Sequence, residues 1–329
     1  MPRRRIWSET LPYATLCEAR TLSLLRRFRL GVLVSVRPRS LADLPRTLEV
    51  LSGEGIETGV WPMLEDEDGR WANARNASRF TAFARNVVDA LGEQGVTEVV
   101  VDLEPPIFDV RAAMTSARGA GKLLDAALDE EGLVAARGTY ASLVRELGER
   151  GVRASAVAVP VVLFDRSASW EALLGTPLDG PPWSSVSVML YTSILEGWSK
   201  GLLGRSDAVS VLAAACRATR SRFGDGGGVS LGAVGTGAFG DEPVYRSPAE
   251  LARDVAVARA SGVENLTLFE LGGVLGRAPA EVWLEAFVDT PAASVLPPGT
   301  LRGRAVSSMA SLAGASLGVL APLLRRAIF

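Results

Sequence analysis

The sequence contains no histidine among its 329 residues. This absence excludes Ser-His-Asp and Cys-His nucleophile systems, histidine-bound zinc, and histidine as a general base. Any acid-base chemistry must therefore depend on carboxylates, tyrosines, lysines or cysteines. Lysine is also scarce, since it occurs only at Lys122 and Lys200, whereas arginine is abundant.

Cysteine is almost as rare, with two residues far apart in helix-like sequence, Cys17 and Cys216. This spacing is more typical of reduced, buried thiols than of a disulfide. The N-terminal Met1–Arg5 segment is basic, but Ser8 and Glu9 interrupt the apolar core that a signal peptide requires. We therefore expect a cytoplasmic protein.

A nucleotide-binding Walker loop is missing too. The glycines of Gly226–Gly228 and Gly272–Gly273 are more typical of flexible turns than of a phosphate cradle. We expect no cofactor. The formal net charge of −2 gives no support for a nucleic-acid partner, and 48% hydrophobic residues predict a globular protein with a large core.

Two carboxylates end an apolar run in the stretch Thr97–Pro106, which reads TEVVVDLEPP. The run predicts a buried strand, and Pro105 with Pro106 would end it. Because successive side chains of a strand alternate sides, Asp102 and Glu104 would lie on the same face. Like charges close together at a buried strand end are costly, so they are typical of functional sites. The structural alternative is that one acid caps a helix and the other pairs with an arginine.

Apolar strands alternate with helical patterns along residues 1–290, which predicts a single α/β protein, a (β/α)8 TIM barrel. The predicted strands are Arg5–Glu9, Leu30–Val36, Gly59–Leu64, Thr97–Glu104, Ala154–Pro160, Val186–Tyr191, Val229–Val234 and Leu266–Phe269. The first of these is weak, so seven strands plus an irregular element is the alternative.

Catalytic residues of such barrels lie at the C-terminal ends of the strands. Six side chains are predicted to converge there, namely Glu9, Trp61, Asp102, Glu104, Tyr191 and Glu270. Paired carboxylates are the minimal apparatus for cleaving a glycosidic bond, and we assign Glu104 as the proton donor. Asp102 would tune the pKa of Glu104 or orient the substrate, and Tyr191 with Glu270 would face the developing positive charge.

Further side chains are candidates for substrate binding. Trp61 would stack on a sugar, with an apolar core role as the alternative. Arg37, with Arg39 and Arg75, would hold an anionic group, with solvated surface arginines as the alternative. Glu9 would approach the site or cap the following helix.

Three segments together resemble the chitinase-type glycoside hydrolase family eighteen. They are Asp102-Leu103-Glu104, Ala156–Pro160 and Val188-Met189-Leu190-Tyr191. The resemblance implies a TIM barrel that binds carbohydrate, with Glu104 as the acid and Asp102 assisting the acetamido group of the substrate. The family's Met-x-Tyr-Asp motif would place Met189 and Tyr191 at the substrate.

The chain departs from the family's DxxDxDxE motif at its first two aspartates, where it has Thr97 and Val100. Thr192 stands where the family has Asp after the tyrosine. The chain thus retains the D-x-E pair, while the neighbouring motif positions differ from the family. An inactive, lectin-like relative is the alternative that these departures favour.

Two other functions remain open from the residues. Asp102, Glu104 and Glu270 could hold Mg²⁺ through oxygen ligands in a metal-dependent barrel enzyme. A non-catalytic barrel, tethered at a membrane, could bind a glycan or a protein. Carboxylates in the loops after strands five, six and seven are candidates for a second catalytic acid; they are Asp165, Glu196 and Glu242.

The last segment, residues 291–329, is predicted to be a linker and a hydrophobic tail helix. Ala305–Leu324 is an uncharged run with Arg302 and Arg304 before it and Arg325 and Arg326 after it. Its length matches a membrane span, although serines, glycines and Pro322 dilute it. Contact with a membrane and packing on the barrel are the two expectations for this tail.

Overall fold

The computed structural model describes residues 3–92, 96–116, 129–165 and 168–328, and of residues 317–328 only the backbone. Eight parallel strands, β1 to β8, form a closed barrel in chain order, which confirms the predicted (β/α)8 fold. The strands are β1 Arg4–Ser8, β2 Gly31–Val36, β3 Thr58–Pro62, β4 Glu98–Leu103, β5 Arg153–Ala158, β6 Ser185–Leu190, β7 Gly227–Gly232 and β8 Asn265–Phe269. Each predicted strand is found within two residues of these bounds.

Helices follow the strands. In the described ranges they are α1 Tyr13–Leu16, α2 Ala19–Arg27, α3 Leu44–Gly53, α4 Ala77–Leu91, α5 Ile107–Thr115, α6 Glu130–Glu149, α7 Ser169–Leu174, α8 Thr192–Trp198, α9 Arg205–Phe223, α10 Pro248–Ala260, α11 Leu271–Gly276, α12 Ala280–Val288 and α13 Leu301–Ile328. Short 3₁₀ segments lie at Pro38–Asp43, Asp66–Asp68, Pro160–Phe164 and Gly224–Gly226.

The strands are apolar on both faces because a parallel barrel buries both faces of its sheet. All six residues of β2, and likewise of β4 and β7, are buried. Parallel pairing fixes the register, with Asp102 opposite Val157 on β5 and Ser230 opposite Thr267 on β8. The position of Asp102 along β4 is therefore set by the hydrogen bonds of the sheet.

The chain separates into two compact units. The first unit comprises Met1–Ser35, Ala42–Val60 and Ser187–Ser307, and the second comprises Val36–Leu41, Trp61–Val186 and Ser308–Phe329. The predicted boundary between a barrel of residues 1–290 and a tail of residues 291–329 stays a prediction.

A buried charged cluster anchors the first unit beside β6. Asp254 of α10 is fully buried and accepts hydrogen bonds from Arg205 at 2.6 Å and from the Tyr245 hydroxyl at 2.8 Å. The Thr192 hydroxyl donates to the same carboxylate. Burial raises the pKa of Asp254, and the Arg205 charge opposes that rise. The cluster holds Thr192, the residue where the chain leaves the strand.

Aromatic packing forms part of the core of the second unit. Tyr140 of α6 is fully buried between Phe80 and Trp183, with ring centroids 6.1 Å and 6.3 Å away. Its hydroxyl donates to the carbonyl of Asn73 at 3.1 Å. Burial raises the pKa of this hydroxyl, so it stays a neutral donor. The contact ties the loop after β3 to α6.

The tail of the sequence forms α13, Leu301–Ile328, which is longer than the uncharged run Ala305–Leu324. Part of that run, residues 317–324, has no described side chains. Within the described part of the chain, no helix combines the length and apolar character that crossing a membrane requires.

Two glycines of α11 provide a test of the fold. A Cβ at Gly273 would overlap the backbone of Gly235, whereas a Cβ at Gly276 would meet nothing within 4 Å. We expect Gly273→Ala to lower the free energy of unfolding by about 1–3 kcal/mol because backbone must move. Gly276→Ala, the matched control in the same helix, should leave it unchanged or raise it. Urea denaturation measures both, and equal stability of the two variants would contradict this packing.

Candidate active site

Asp102 and Glu104 form the strand-four pair, in the second unit. Asp102 is the penultimate residue of β4 and is only 3% exposed. Glu104 is the first residue after the strand and is half-buried. Because Leu103 between them is fully buried and side chains alternate, the two carboxylates lie on one face. The pair therefore combines a buried acid with one at the strand end that solvent reaches.

Ala72, in the loop after β3, holds the backbone of the strand-four pair. Its N–H donates to the carbonyl of Asp102 at 2.9 Å, and its carbonyl accepts from the N–H of Glu104 at 3.1 Å. Ala72 thus extends β4 by one parallel bridge, at Leu103. The two hydrogen bonds fix the chain on both sides of the pair.

The loop that carries Ala72 is itself rigid. The Asn73 side chain accepts from the N–H groups of Arg75 and Asn76, at 3.1 Å and 3.2 Å. The Asn76 amide group donates to the carbonyls of Asp68 and Trp71, at 2.9 Å and 2.8 Å. Side chains therefore provide hydrogen-bond partners for backbone N–H and carbonyl groups of this loop that have none in a helix or strand.

The predicted arginines are engaged with carboxylates. Arg37 lies 3.4 Å from Asp66 and 3.6 Å from Glu65, and burial lowers the pKa of its guanidinium group. Arg39, mostly exposed, lies 3.9 Å from Glu65. Arg75 pairs with Asp109 at 2.5 Å. Carboxylates of the chain thus lie beside these arginines, where the sequence predicts the anionic group of a ligand.

Trp61 lies on β3 and is 3% exposed, which agrees with the core alternative for this side chain. A sugar-stacking ring needs an accessible face, and Trp61 offers almost none. Stacking by Trp61 stays a prediction that would require the site to open.

The first unit contains a cluster of five residues around two stacked aromatic rings, which we name the aromatic group. Its members are Tyr191, Phe269, Trp7, Ser230 and Glu9. Tyr191 follows β6 and stacks on Phe269 with centroids 5.2 Å apart. Its hydroxyl lies 3.4 Å from the Ser230 hydroxyl, which accepts from the Trp7 indole N–H at 2.7 Å.

Glu9 lies beside the same rings. A Cβ at Gly237 would be 2.9 Å from the Glu9 carboxylate and 2.7 Å from the Phe269 ring. Pro12, and not Glu9, precedes α1, so the alternative that Glu9 caps the next helix is wrong. The first unit thus brings together two predicted site residues, Glu9 and Tyr191.

Met189 lies on β6, two residues before Tyr191, and is half-buried. Alternation along the strand places it on the same face as Tyr191. Its role at a substrate stays a prediction.

Glu270 follows β8 and acts as the N-cap of α11. Its two oxygens accept from the N–H groups of Gly272 at 3.0 Å and Gly273 at 2.6 Å. Burial raises the pKa of this carboxyl, and the two amide hydrogen bonds oppose that rise. These contacts give Glu270 a structural duty that its sequence position did not indicate.

The loop carboxylates differ in their contacts. Asp165 accepts from the backbone N–H of Trp170 at 2.9 Å, and Glu196 pairs with Arg246 at 3.0 Å. Glu242 is 7% exposed, and its Oε1 accepts from the Phe239 N–H at 2.9 Å. Its Oε2 has no hydrogen-bond partner among the described residues. Glu242 is therefore the stronger candidate of the three for a further acid.

No group of three or more histidine, cysteine, aspartate or glutamate side chains lies close enough to hold a metal ion within the described ranges. The magnesium alternative stays a prediction.

The sequence analysis does not predict four residues of these two sites. Trp7, Ser230 and Phe269 appear there only within predicted strands, although Trp7 and Glu9 have the same i, i+2 spacing as Asp102 and Glu104. That spacing was a usable signal. Ala72 gave none, because its role comes from backbone hydrogen bonds alone.

No protein-family model and no curated protein matches this chain. Solved structures do resemble it. The PgaB (BpsB) glycoside hydrolase domain of Bordetella bronchiseptica is 11% identical with a TM-score of 0.52, over 89% of this chain and 100% of that one.

Two further structures are similar to the chain. A GH5_18 protein of Bifidobacterium longum bound to Manβ1-4GlcNAc is 10% identical with a TM-score of 0.51, over 95% of this chain and 78% of that one. A chitinase of Chromobacterium violaceum is 12% identical with a TM-score of 0.50, over 87% of this chain and 98% of that one. At these identities the likeness shows the fold, a TIM barrel of the kind that glycoside hydrolases use.

The ion pair beside the loop after β3 predicts a pH dependence. Arg70 donates two hydrogen bonds to Asp66, at 2.8 Å and 3.1 Å, and this lowers the pKa of Asp66. A lowered pKa stabilises the fold above the ordinary aspartate pKa, and the stabilisation is lost as pH falls through the native pKa. We expect Asp66→Asn to cost about 1–2 kcal/mol near pH 6 and much less near pH 3.

Urea denaturation at the two pH values tests this, with Glu67→Gln as the control. Glu67 is an exposed carboxylate in the same 3₁₀ turn. An equal effect of Asp66→Asn at both pH values would contradict the assignment.

Proposed function

We propose that the chain is a barrel enzyme of the glycoside hydrolase type, with Glu104 as the general acid and Asp102 assisting. The observation that carries this proposal is the strand-four pair. It combines a buried and a half-buried carboxylate on one face of β4, with the backbone fixed by Ala72. The likeness to glycoside hydrolase barrels supports the proposal at the level of the fold.

Glu104 has the position that a proton donor needs. It follows the last residue of β4, where barrel enzymes hold their catalytic groups, and the residue is only half-buried. In the proposed reaction, Glu104 gives its proton to the glycosidic oxygen as the bond to the anomeric carbon breaks. A water molecule then bonds through its oxygen to the anomeric carbon and gives one of its protons to Glu104, which restores the acid.

Asp102 is placed to act on the substrate from a fixed position. Its burial restrains the side chain, and the sheet register with Val157 fixes its height along β4. A carboxylate held in this way orients a substrate acetamido group or stabilises positive charge that develops at the sugar. The resemblance to family eighteen supports the first of these roles.

The substrate class that we propose is a carbohydrate with an N-acetylated or neutral hexose at the cleaved bond. The resemblance of the D-x-E and Met-x-Tyr segments favours N-acetylglucosaminides, and the Bifidobacterium neighbour was bound to a mannose–N-acetylglucosamine disaccharide. Tyr191, stacked on Phe269, supplies an aromatic surface and a hydroxyl that suit a sugar.

A panel of aryl glycosides, including N-acetylglucosaminides and mannosides, tests the proposal. We expect Glu104→Gln to lower kcat by about 10²–10⁴-fold, because general acid catalysis contributes that much. The loss should be smallest for the best leaving groups, which need little protonation. Glu67→Gln, an exposed carboxylate after β3, is the matched control and should retain the activity of the natural chain.

Two outcomes contradict the proposal. Equal hydrolysis by the natural chain and Glu104→Gln would remove Glu104 from the acid role. If neither hydrolyses any glycoside of the panel while both bind the same glycan, the chain is a binding barrel, as the missing motif aspartates would explain.

A further inference from the structure

The helix α13 packs with its smallest residues inward. Gly303 and Gly314 are buried, and a Cβ at Gly303 would lie 2.6 Å from the Ser210 hydroxyl. At Gly314, a Cβ would lie 2.9 Å from the Trp170 indole nitrogen. That nitrogen donates to the carbonyl of Ala310 at 2.9 Å. The helix therefore approaches Ser210 and Trp170 closely at two glycines, and glycine buries little apolar surface.

Three large apolar side chains in the described part of the same helix face solvent. Leu301 is 79% exposed, Met309 64% and Leu312 67%. At 100° per residue, Leu301, Ala305 and Leu312 lie on one line of the helix, about opposite Gly303, Ala310 and Gly314. A helix that only packed on a barrel would place its leucines inward, since burial of each is favourable.

The charge of the tail has one sign. Residues 290–329 contain Arg302, Arg304, Arg325 and Arg326 and no acidic residue, which leaves a formal charge of −6 on residues 1–289. Arg302 and Arg304 are exposed and flank the line of apolar residues on its two sides. An apolar stripe between arginines matches a surface that is both apolar and negatively charged.

We propose that α13 is an interfacial helix that binds the chain to the surface of an anionic lipid membrane. Leu301, Met309 and Leu312 enter the apolar layer, and Arg302 with Arg304 contact the negatively charged headgroups. In this proposal the helix lies in the plane of the interface. The inference is independent of the hydrolase proposal, because none of the proposed site residues takes part.

Flotation of the full chain with vesicles tests this inference. We expect binding to phosphatidylcholine vesicles that contain about 30% phosphatidylglycerol, and at least tenfold weaker binding to phosphatidylcholine alone. Salt at about 0.5 M should weaken binding to the anionic vesicles, because it screens the arginine contacts.

Variants separate the apolar contribution to vesicle binding from the contribution of the arginines. Met309→Gln with Leu312→Gln should lower binding about tenfold or more at any salt concentration, because these side chains enter the apolar layer. Arg302→Gln with Arg304→Gln should lower it mainly at low salt. The matched control is Val134→Gln on α6, where Val134 is 58% exposed, and it should bind as the natural chain does.

Thermal unfolding of each variant checks that the fold is kept, as expected for exposed positions. Failure of the natural chain to float with anionic vesicles overturns the proposal, and so does unchanged binding by the Met309 and Leu312 double variant. Light scattering adds a further check. A dimer of the natural chain that becomes a monomer in this variant would assign the face to a second copy and also overturn it.

Discussion

A carboxylate that a barrel buries must meet hydrogen-bond donors, and this constraint accounts for much of the polar structure. Glu171 accepts from the N–H groups of Leu178 and Asp179 and lies 3.5 Å from Arg137. Glu98 lies 3.5 Å from Arg153 on the neighbouring strand. An ionised group removed from water without such partners would cost several kcal/mol. The abundant arginines thus stabilise the fold, because their planar guanidinium groups pair with buried carboxylates.

The same constraint separates structural acids from the proposed catalytic one. Asp254 is satisfied by Arg205, Tyr245 and Thr192. Glu270 is satisfied by two backbone amides. Glu104 differs because it remains half-exposed at the end of β4. In a chain without histidine, an acid of this kind is the group best placed to exchange a proton with a substrate.

The strands could be predicted because each is an apolar run ended by proline, glycine or charge, and these signals are local. The strand-four pair followed from the same pattern, and Glu104, the last residue of the predicted strand, lies one residue beyond the end of β4 at Leu103. The capping role of Glu270 could not be predicted, because it depends on the direction in which α11 leaves β8. The partners of Arg37 were equally hidden, since Glu65 and Asp66 are almost thirty residues away in sequence. The tail shows the limit of composition, because its sequence does not reveal that Gly303 and Gly314 pack inward while Leu301 and Leu312 face solvent.

The bridge between Ala72 and the end of β4 has a consequence for how this chain tolerates changes in length. The loop after β3 is joined to the end of β4 where Ala72 meets Asp102 and Glu104 through the backbone. An insertion between Ala72 and Asn76 would separate the bridge from the side-chain hydrogen bonds that hold it. The length of that short segment is therefore fixed by the site.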